Sequence, residues 1–129
     1  MGPVSVLLVD DSLLFLDIAT RFLQEEYRDE VVVVGAAGGG EEALAQAQLL
    51  QPQVILIDLN MPGMSGLEAI PRLREALPDA GIIALTLLDA EAYRQAALAA
   101  GADGFVSKPN MGADLLPAIR RVVRADRFI

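Results

Sequence analysis

Short aliphatic runs alternate with amphipathic stretches along the whole chain. Residues 4–9 are apolar except for Ser5 and stop at Asp10, the pattern of a strand buried on both faces. From Ser12, which suits an N-cap, Leu13, Phe15, Leu16, Ala19, Phe22 and Leu23 recur mostly at three- and four-residue intervals to about Tyr27. That spacing predicts an amphipathic helix. The same reading gives strands at 31–35, 54–57, 82–85 and 104–106, and helices at 41–50, 66–77, 90–100 and 113–124. Five strands alternating with five helices predict an α/β fold: a doubly wound parallel sheet with right-handed crossovers and helices on both faces, in three layers. Pro71 and Pro117 fall after the first turn of their helices. A proline there removes a hydrogen bond and costs ~3 kcal/mol, so kinks or later helix starts are expected. Gly38, Gly39 and Gly40 form a loose turn before the second helix.

At 129 residues the chain suits one domain with one core, and residues 1–129 are read as a single domain without an effector domain. A hydrophobic share of 53% with few aromatics fits small branched strands under helices. The net charge of −8 argues against direct nucleic-acid binding, which needs a basic stripe. There is no cysteine and no histidine, which excludes disulfides, thiolate chemistry, serine triads and the commonest zinc ligand. No apolar stretch approaches a membrane span of ~20 residues, and the start lacks the basic residues of a secretory signal. A cytoplasmic location away from membranes is expected.

The chemistry gathers at strand ends. Asp10 and Asp11 follow the first strand, Asp58 the third, Thr86 the fourth and Lys108 the fifth. In an open parallel sheet a ligand sits outside the carboxyl ends of the strands. Three neighbouring carboxylates repel one another and need a cation; oxygen ligands alone specify a hard ion such as Mg2+, completed by a phosphate oxygen. Asp58 is then placed as a nucleophile forming an acyl phosphate, with the Thr86 hydroxyl and the Lys108 ammonium holding the transferred group. Lys108 is the only lysine beside nine arginines, which points to a need for a compact ammonium. Each feature alone has an ordinary explanation: an acidic helix start, turn chemistry in Asn60-Met61-Pro62-Gly63, β propensity at Thr86. Their joint appearance at the ends of one sheet does not.

The segments Leu8-Val9-Asp10-Asp11-Ser12, Leu56-Ile57-Asp58-Leu59-Asn60-Met61-Pro62-Gly63, Leu85-Thr86 and Gly101-Ala102-Asp103-Gly104-Phe105-Val106-Ser107-Lys108-Pro109 resemble the receiver domain of bacterial response regulators. The stretches 68–74 and 85–108 are similar to receivers that precede helix-turn-helix effectors. The resemblance implies the flavodoxin-like strand order 2-1-3-4-5. It implies that Asp58 accepts a phosphoryl group from the phosphohistidine of a sensor kinase or a histidine phosphotransfer protein. Asp11 and Asp58 would be direct ligands of Mg2+, for which Mn2+ would substitute, with Asp10 acting through water and Asn60 through its backbone carbonyl. The backbones of Asn60 and Leu87 would contact the phosphate. Such a domain is a phosphoacceptor that assists its own phosphotransfer and autodephosphorylation rather than an enzyme. Thr86 and Phe105 would form its switch, acting on the face made by the fourth helix, fifth strand and fifth helix, with an effector or a second copy as partner. That face would include Tyr93, Arg94, Ala97 and Phe105, and Arg120, Arg121, Arg124 and Arg127 make a basic end, equally explained as cations completing a helix terminus. Phe105 lacks the hydroxyl of the tyrosine often found at its place, so its readout rests on packing alone. Leu87 and Leu88 are bulky beside the phosphoryl position, from which slow exchange with small donors and a long-lived acyl phosphate are expected.

Two rivals share parts of this pattern. Gly38-Gly39-Gly40-Glu41-Glu42-Ala43 loosely fits a dinucleotide-binding fingerprint, but Glu41 and Glu42 would meet the pyrophosphate, and Asp10, Asp11 and Lys108 stay unused. An aspartyl-nucleophile phosphohydrolase would carry a second Asp two residues after Asp58, where this chain has Asn60. A purely structural interaction domain leaves the clustered carboxylates without a purpose.

Overall fold

The computed structural model describes residues 2–87 and 90–126, the last three of these by backbone only. Its elements run β1 (Val4–Val9), α1 (Leu13–Glu26), β2 (Val31–Ala37), α2 (Gly40–Leu50), β3 (Val54–Asp58), α3 (Gly66–Ala76), β4 (Gly81–Thr86), α4 (Glu91–Ala100), β5 (Gly104–Ser107), a 3-10 turn (Lys108–Asn110) and α5 (Met111–Asp126). The strands form one sheet in the order β2-β1-β3-β4-β5, and every neighbouring pair is parallel. This is the three-layer α/β architecture and strand order expected from the sequence.

Alternation along the strands separates two cores. Leu7, Val9, Ile55, Ile57, Ile82, Ala84 and Phe105 face α2, α3 and α4, which contribute Ala43, Ala47, Ala69, Ile70, Leu73 and Ala97. Val6, Leu8, Val54, Leu56, Ile83, Leu85 and Val106 face α1 and α5, which contribute Leu16, Ala19, Leu23, Leu115, Ile119 and Val122. Every residue of β3 is buried, as suits a central strand. No described helix is long and apolar enough to cross a membrane.

Most element ends shift by one or two residues from the sequence reading, and three of the shifts bear on the packing or on the connections. β2 continues past Gly35 to Ala37, because the strand bulges: Val6 pairs with Val33 and Leu7 with Gly35, leaving Val34 out of register and exposed. Gly35 then passes beneath α2, where a Cβ would meet Gln46 and Leu50 at 2.7 Å. Gly40 belongs to α2 rather than to the turn before it. α5 starts at Met111 rather than Ala113, continuing directly from the 3-10 turn that begins at Lys108. The prolines do not delay their helices: α3 starts at Gly66 as predicted and α5 starts early, with Pro71 and Pro117 inside them on exposed faces. Water can satisfy the carbonyls they leave unpaired.

The start of α3 is fixed by a capping box: the Ser65 hydroxyl accepts from the Glu68 amide at 3.2 Å, and the Glu68 carboxylate accepts from the Ser65 amide at 3.1 Å. Gly66, the first helical residue, lies against the end of β3. A Cβ there would overlap the Asp58 carbonyl oxygen and stand 2.8 Å from Leu59 Cα. Gly112 in α5 has open space instead. Gly66→Ala is therefore expected to lower stability by about 2 kcal/mol, as overpacking against backbone does. Gly112→Ala should raise it by about 0.5 kcal/mol through reduced chain entropy. Urea unfolding midpoints of the two variants check the opposite signs.

Candidate functional site

Four strand ends converge on one edge of the sheet. Asp10 follows β1, Asp58 ends β3, Thr86 ends β4 and Lys108 follows β5. Because β1, β3, β4 and β5 are consecutive in the sheet, parallel pairing brings their carboxyl ends side by side. Carboxylate oxygens of Asp10, Asp11 and Asp58 lie within 4.8 Å of one another, with Asp10 and Asp58 buried and Asp11 exposed. Thr86 is fully buried at the same edge.

Lys108 is the internal counter-charge. Its Nζ donates to Asp10 Oδ2 at 2.6 Å and stands 3.7 Å from Asp58 Oδ2, while its side chain is 11% exposed. Asp10 is held from the other side as well, its Oδ1 accepting from the Ser12 amide at 2.8 Å. Asp58 Oδ1 accepts from the Asn60 amide at 3.3 Å. Burial pushes the Asp58 carboxyl up from its ordinary value; the Lys108 ammonium opposes this, Asp10 adds to it, the Asn60 amide opposes it, and Asp11 adds to it. Burial thus works against the Asp58 charge.

The donor set fits a hard divalent ion. It offers oxygens only, in a half-open cluster with an exposed member on the solvent side, and it carries three negative charges against one ammonium. The same cluster suits neither a thiolate-seeking nor an imidazole-seeking metal.

The remaining candidates lie outside the three-carboxylate cluster. Phe105 is 9% exposed and lies on the α2-α3-α4 face of the sheet, with the Arg94 guanidinium 5.2 Å from its ring centroid. Ala97 is fully buried in that core, so it offers nothing to the surface assigned to it, whereas Arg94, Leu98, Phe105, Asp114 and Arg121 do line a groove between α4, β5 and α5. Arg120 is taken out of the basic end by a two-pronged pair with Glu30, at 2.9 and 2.7 Å. The Arg124 side chain, Arg127 and Leu88 lie outside the described residues. Leu87 is 70% exposed, so its side chain meets solvent.

One contact escaped the sequence. Phe15, read as part of the apolar stripe of α1, places its ring 4.2 Å from Lys108 Nζ. Helical periodicity cannot reveal a partner so far along the chain.

A family model described as the response regulator receiver domain matches residues 6–120. The chain is 39% identical over 126 residues to "Response regulator GacA" of Pseudomonas viridiflava, covering 98% of this chain and 58% of that protein. It is 34% identical over 127 residues to "Nitrate/nitrite response regulator protein NarL" of Escherichia coli (strain K12), again covering 98% and 58%. Its fold is similar to that of a LuxR-family two-component response regulator from Aurantimonas sp. SI85-9A1, with a TM-score of 0.89 at 29% identity, covering 96% of this chain and 87% of that one. Vibrio cholerae chemotaxis protein CheY4 gives a TM-score of 0.81 at 34% identity, over 94% and 99% of the two chains. The chain therefore spans somewhat over half the length of the two curated relatives.

The raised Asp58 carboxyl sets a stability test. The folded state holds the Asp58 proton more tightly than the unfolded state, so ionisation costs stability as pH rises from the ordinary carboxylate value through the raised one, and the full cost is present above both. Without divalent cations, Asp58→Asn should melt above the wild type at neutral pH, and the gap should close as pH falls below the ordinary carboxylate value. Millimolar Mg2+ should raise the wild-type Tm and move the variant much less. Thermal melts across pH, with and without Mg2+, check both signs.

Proposed function

Since this chain belongs to the response regulator receiver domain family of two-component signalling systems, we propose that it is a phosphorylation-activated switch whose acceptor is Asp58. The observation that carries the reading is the Lys108 ammonium, held 2.6 Å from Asp10 and 3.7 Å from Asp58 at the edge where four strand ends meet. The donor is the phosphohistidine of a sensor kinase or of a histidine phosphotransfer protein. Leu13, Leu14 and Ile18 are exposed on α1 just beyond Asp11 and give such a donor an apolar place to land beside the acceptor.

An Asp58 carboxylate oxygen attacks phosphorus in line with the donor nitrogen. The new O–P bond forms as the P–N bond breaks, and the departing imidazole keeps the electron pair and takes up a proton from water. Asp11 and Asp58, with Asp10 through water and the Asn60 carbonyl, would hold Mg2+ or Mn2+, which supplies charge neutralisation at the phosphoryl oxygens. Lys108 shifts from its carboxylate partners to a phosphoryl oxygen, and the Thr86 hydroxyl donates to another. The Asn60 amide, which already donates to Asp58 Oδ1, and the Leu87 amide complete the cradle. Autodephosphorylation is the same geometry with water as the attacking group and Asp58 as the leaving carboxylate.

Readout follows from two neighbours of the site. Movement of Thr86 toward the phosphoryl group lets Phe105 turn further into the core cluster it shares with Ala84, Ala97 and Ala102. Arg94, stacked on that ring, moves with it and reshapes the groove between α4, β5 and α5. An effector or a second copy of the chain is the partner there, and the cytoplasm is where such a donor and receiver meet.

Intact mass after incubation with a small phosphoramidate tests the reading. One Mg2+-dependent phosphoryl addition, labile to hydroxylamine and absent in Asp58→Asn, is expected. Lys108→Arg should fold but fail to switch, because a planar guanidinium does not fit the ammonium's place between Asp10 and Asp58. Addition to Asp58→Asn at the wild-type level would remove Asp58 as acceptor.

A further inference from the structure

Lys108 is surrounded on three sides, and only two of those sides are carboxylates. The third is the Phe15 ring, 4.2 Å from Nζ. The ring and one carboxylate come from a single short stretch. The Asp10 carboxylate accepts from the Ser12 amide at 2.8 Å, and the Ser12 hydroxyl accepts from the Phe15 amide at 3.1 Å as the N-cap of α1. The Lys108 ammonium closes the circuit by touching both the ring and Asp10. The distance between Asp10 and the ring is therefore set by a capped helical turn rather than by flexible side chains.

We infer that Phe15 is a positioning residue for Lys108, a π-faced guide along which the ammonium travels from Asp10 to the phosphoryl group. The inference rests on the reading of Asp58 as acceptor and extends it to how the lysine is delivered. Asp10 alone would draw the ammonium into a tight pair, as the difference between 2.6 and 3.7 Å already indicates. A polar third partner would pin it further, since a hydrogen bond is directional. A ring attracts a cation across the breadth of its face rather than along one bond axis, so Nζ keeps that attraction while changing carboxylate for phosphoryl oxygen. A lysine with three donors on a flexible stem suits such a path, and this chain uses its only lysine there.

The lone lysine also makes the test selective, because lysine-specific labelling yields one side-chain signal. In the wild type the Lys108 Cε protons should show an upfield ring-current shift, lost in Phe15→Leu and kept in Phe15→Tyr. Phosphoramidate saturation curves should show the maximal phosphorylation rate of Phe15→Leu down by roughly three- to tenfold, the scale of a partly desolvated cation–ring contact. Half-saturating donor should be unchanged, and Phe15→Tyr should restore the rate. In a Lys108→Met background Phe15→Leu should cost nothing further, which a merely structural role would not produce. If Phe15→Leu does not fold, Phe15→Met takes its place in every arm. Wild-type rates in a folded ring-less variant, equal losses in the Leu and Tyr variants, or an undiminished Phe15 effect without Lys108 would each overturn the inference. A wild type that accepts no phosphoryl group while keeping its ring-current shift would instead overturn the acceptor reading, and the inference would fall with it.

Discussion

Three carboxylates whose oxygens lie within 4.8 Å of one another, two of them buried, are the demand that the surrounding structure answers. Like charges at that separation cannot all be ionised in a poorly solvated site without a counter-charge. Lys108 supplies one positive charge, which leaves the set two short and keeps it receptive to a further cation and an anionic group brought together. Asp10 is fastened by Ser12 and Lys108, and Asp58 is steadied by the Asn60 amide. The repulsion is thereby held in place instead of being relieved by side chains swinging into water.

Holding it requires a frame that does not yield, and the sheet provides one. β3 is buried along its whole length and lies between β1 and β4, so Asp58 is anchored at the end of a strand with a neighbour on each side. The two cores differ in grain. The face toward α2, α3 and α4 is rich in alanine, while the face toward α1 and α5 carries larger aliphatic side chains. Phe105 sits on the alanine-rich side. The larger aliphatic side chains lie behind α1, which is capped by Ser12 and carries Phe15 in its first turn.

The sequence made the strands and the acidic edge legible, because buried strands are continuous apolar runs and polar residues that end four of them stand out. The Ser12 cap was legible for the same reason: a hydroxyl before an amphipathic pattern. What escaped depends on three dimensions or on single residues. The bulge at Val34 depends on which β2 residue meets Leu7, a matter of register that β propensity does not encode. The burial of Ala97 depends on how closely α4 approaches the sheet, which alanine permits but does not announce. Pro71 and Pro117 signalled disruption, but their rings face outward, where a missing amide is cheap. The capping box at Ser65 and Glu68 was available in the sequence as a residue spacing. The Phe15 contact with Lys108 was not, since it joins the first helix to the last strand's end.

The connection between β3 and α3 is closed at both ends. The Leu59 amide donates to the Leu85 carbonyl at 3.1 Å, the Gly66 amide donates back to Leu59 at 3.1 Å, and Gly63 turns the chain with φ +75°. Gly66 then leaves no space between the helix and the Asp58 carbonyl. A segment tied off in this way tolerates neither insertion nor deletion, so it is a poor place to engineer new recognition. The turn at Gly38 and Gly39 is held more lightly, the Gly38 amide donating to the Glu42 carboxylate at 2.7 Å while a Cβ built at Gly39 would meet nothing within 4 Å. Grafted loops that redirect this domain to a different donor belong there, where added length is absorbed by solvent instead of by the acceptor.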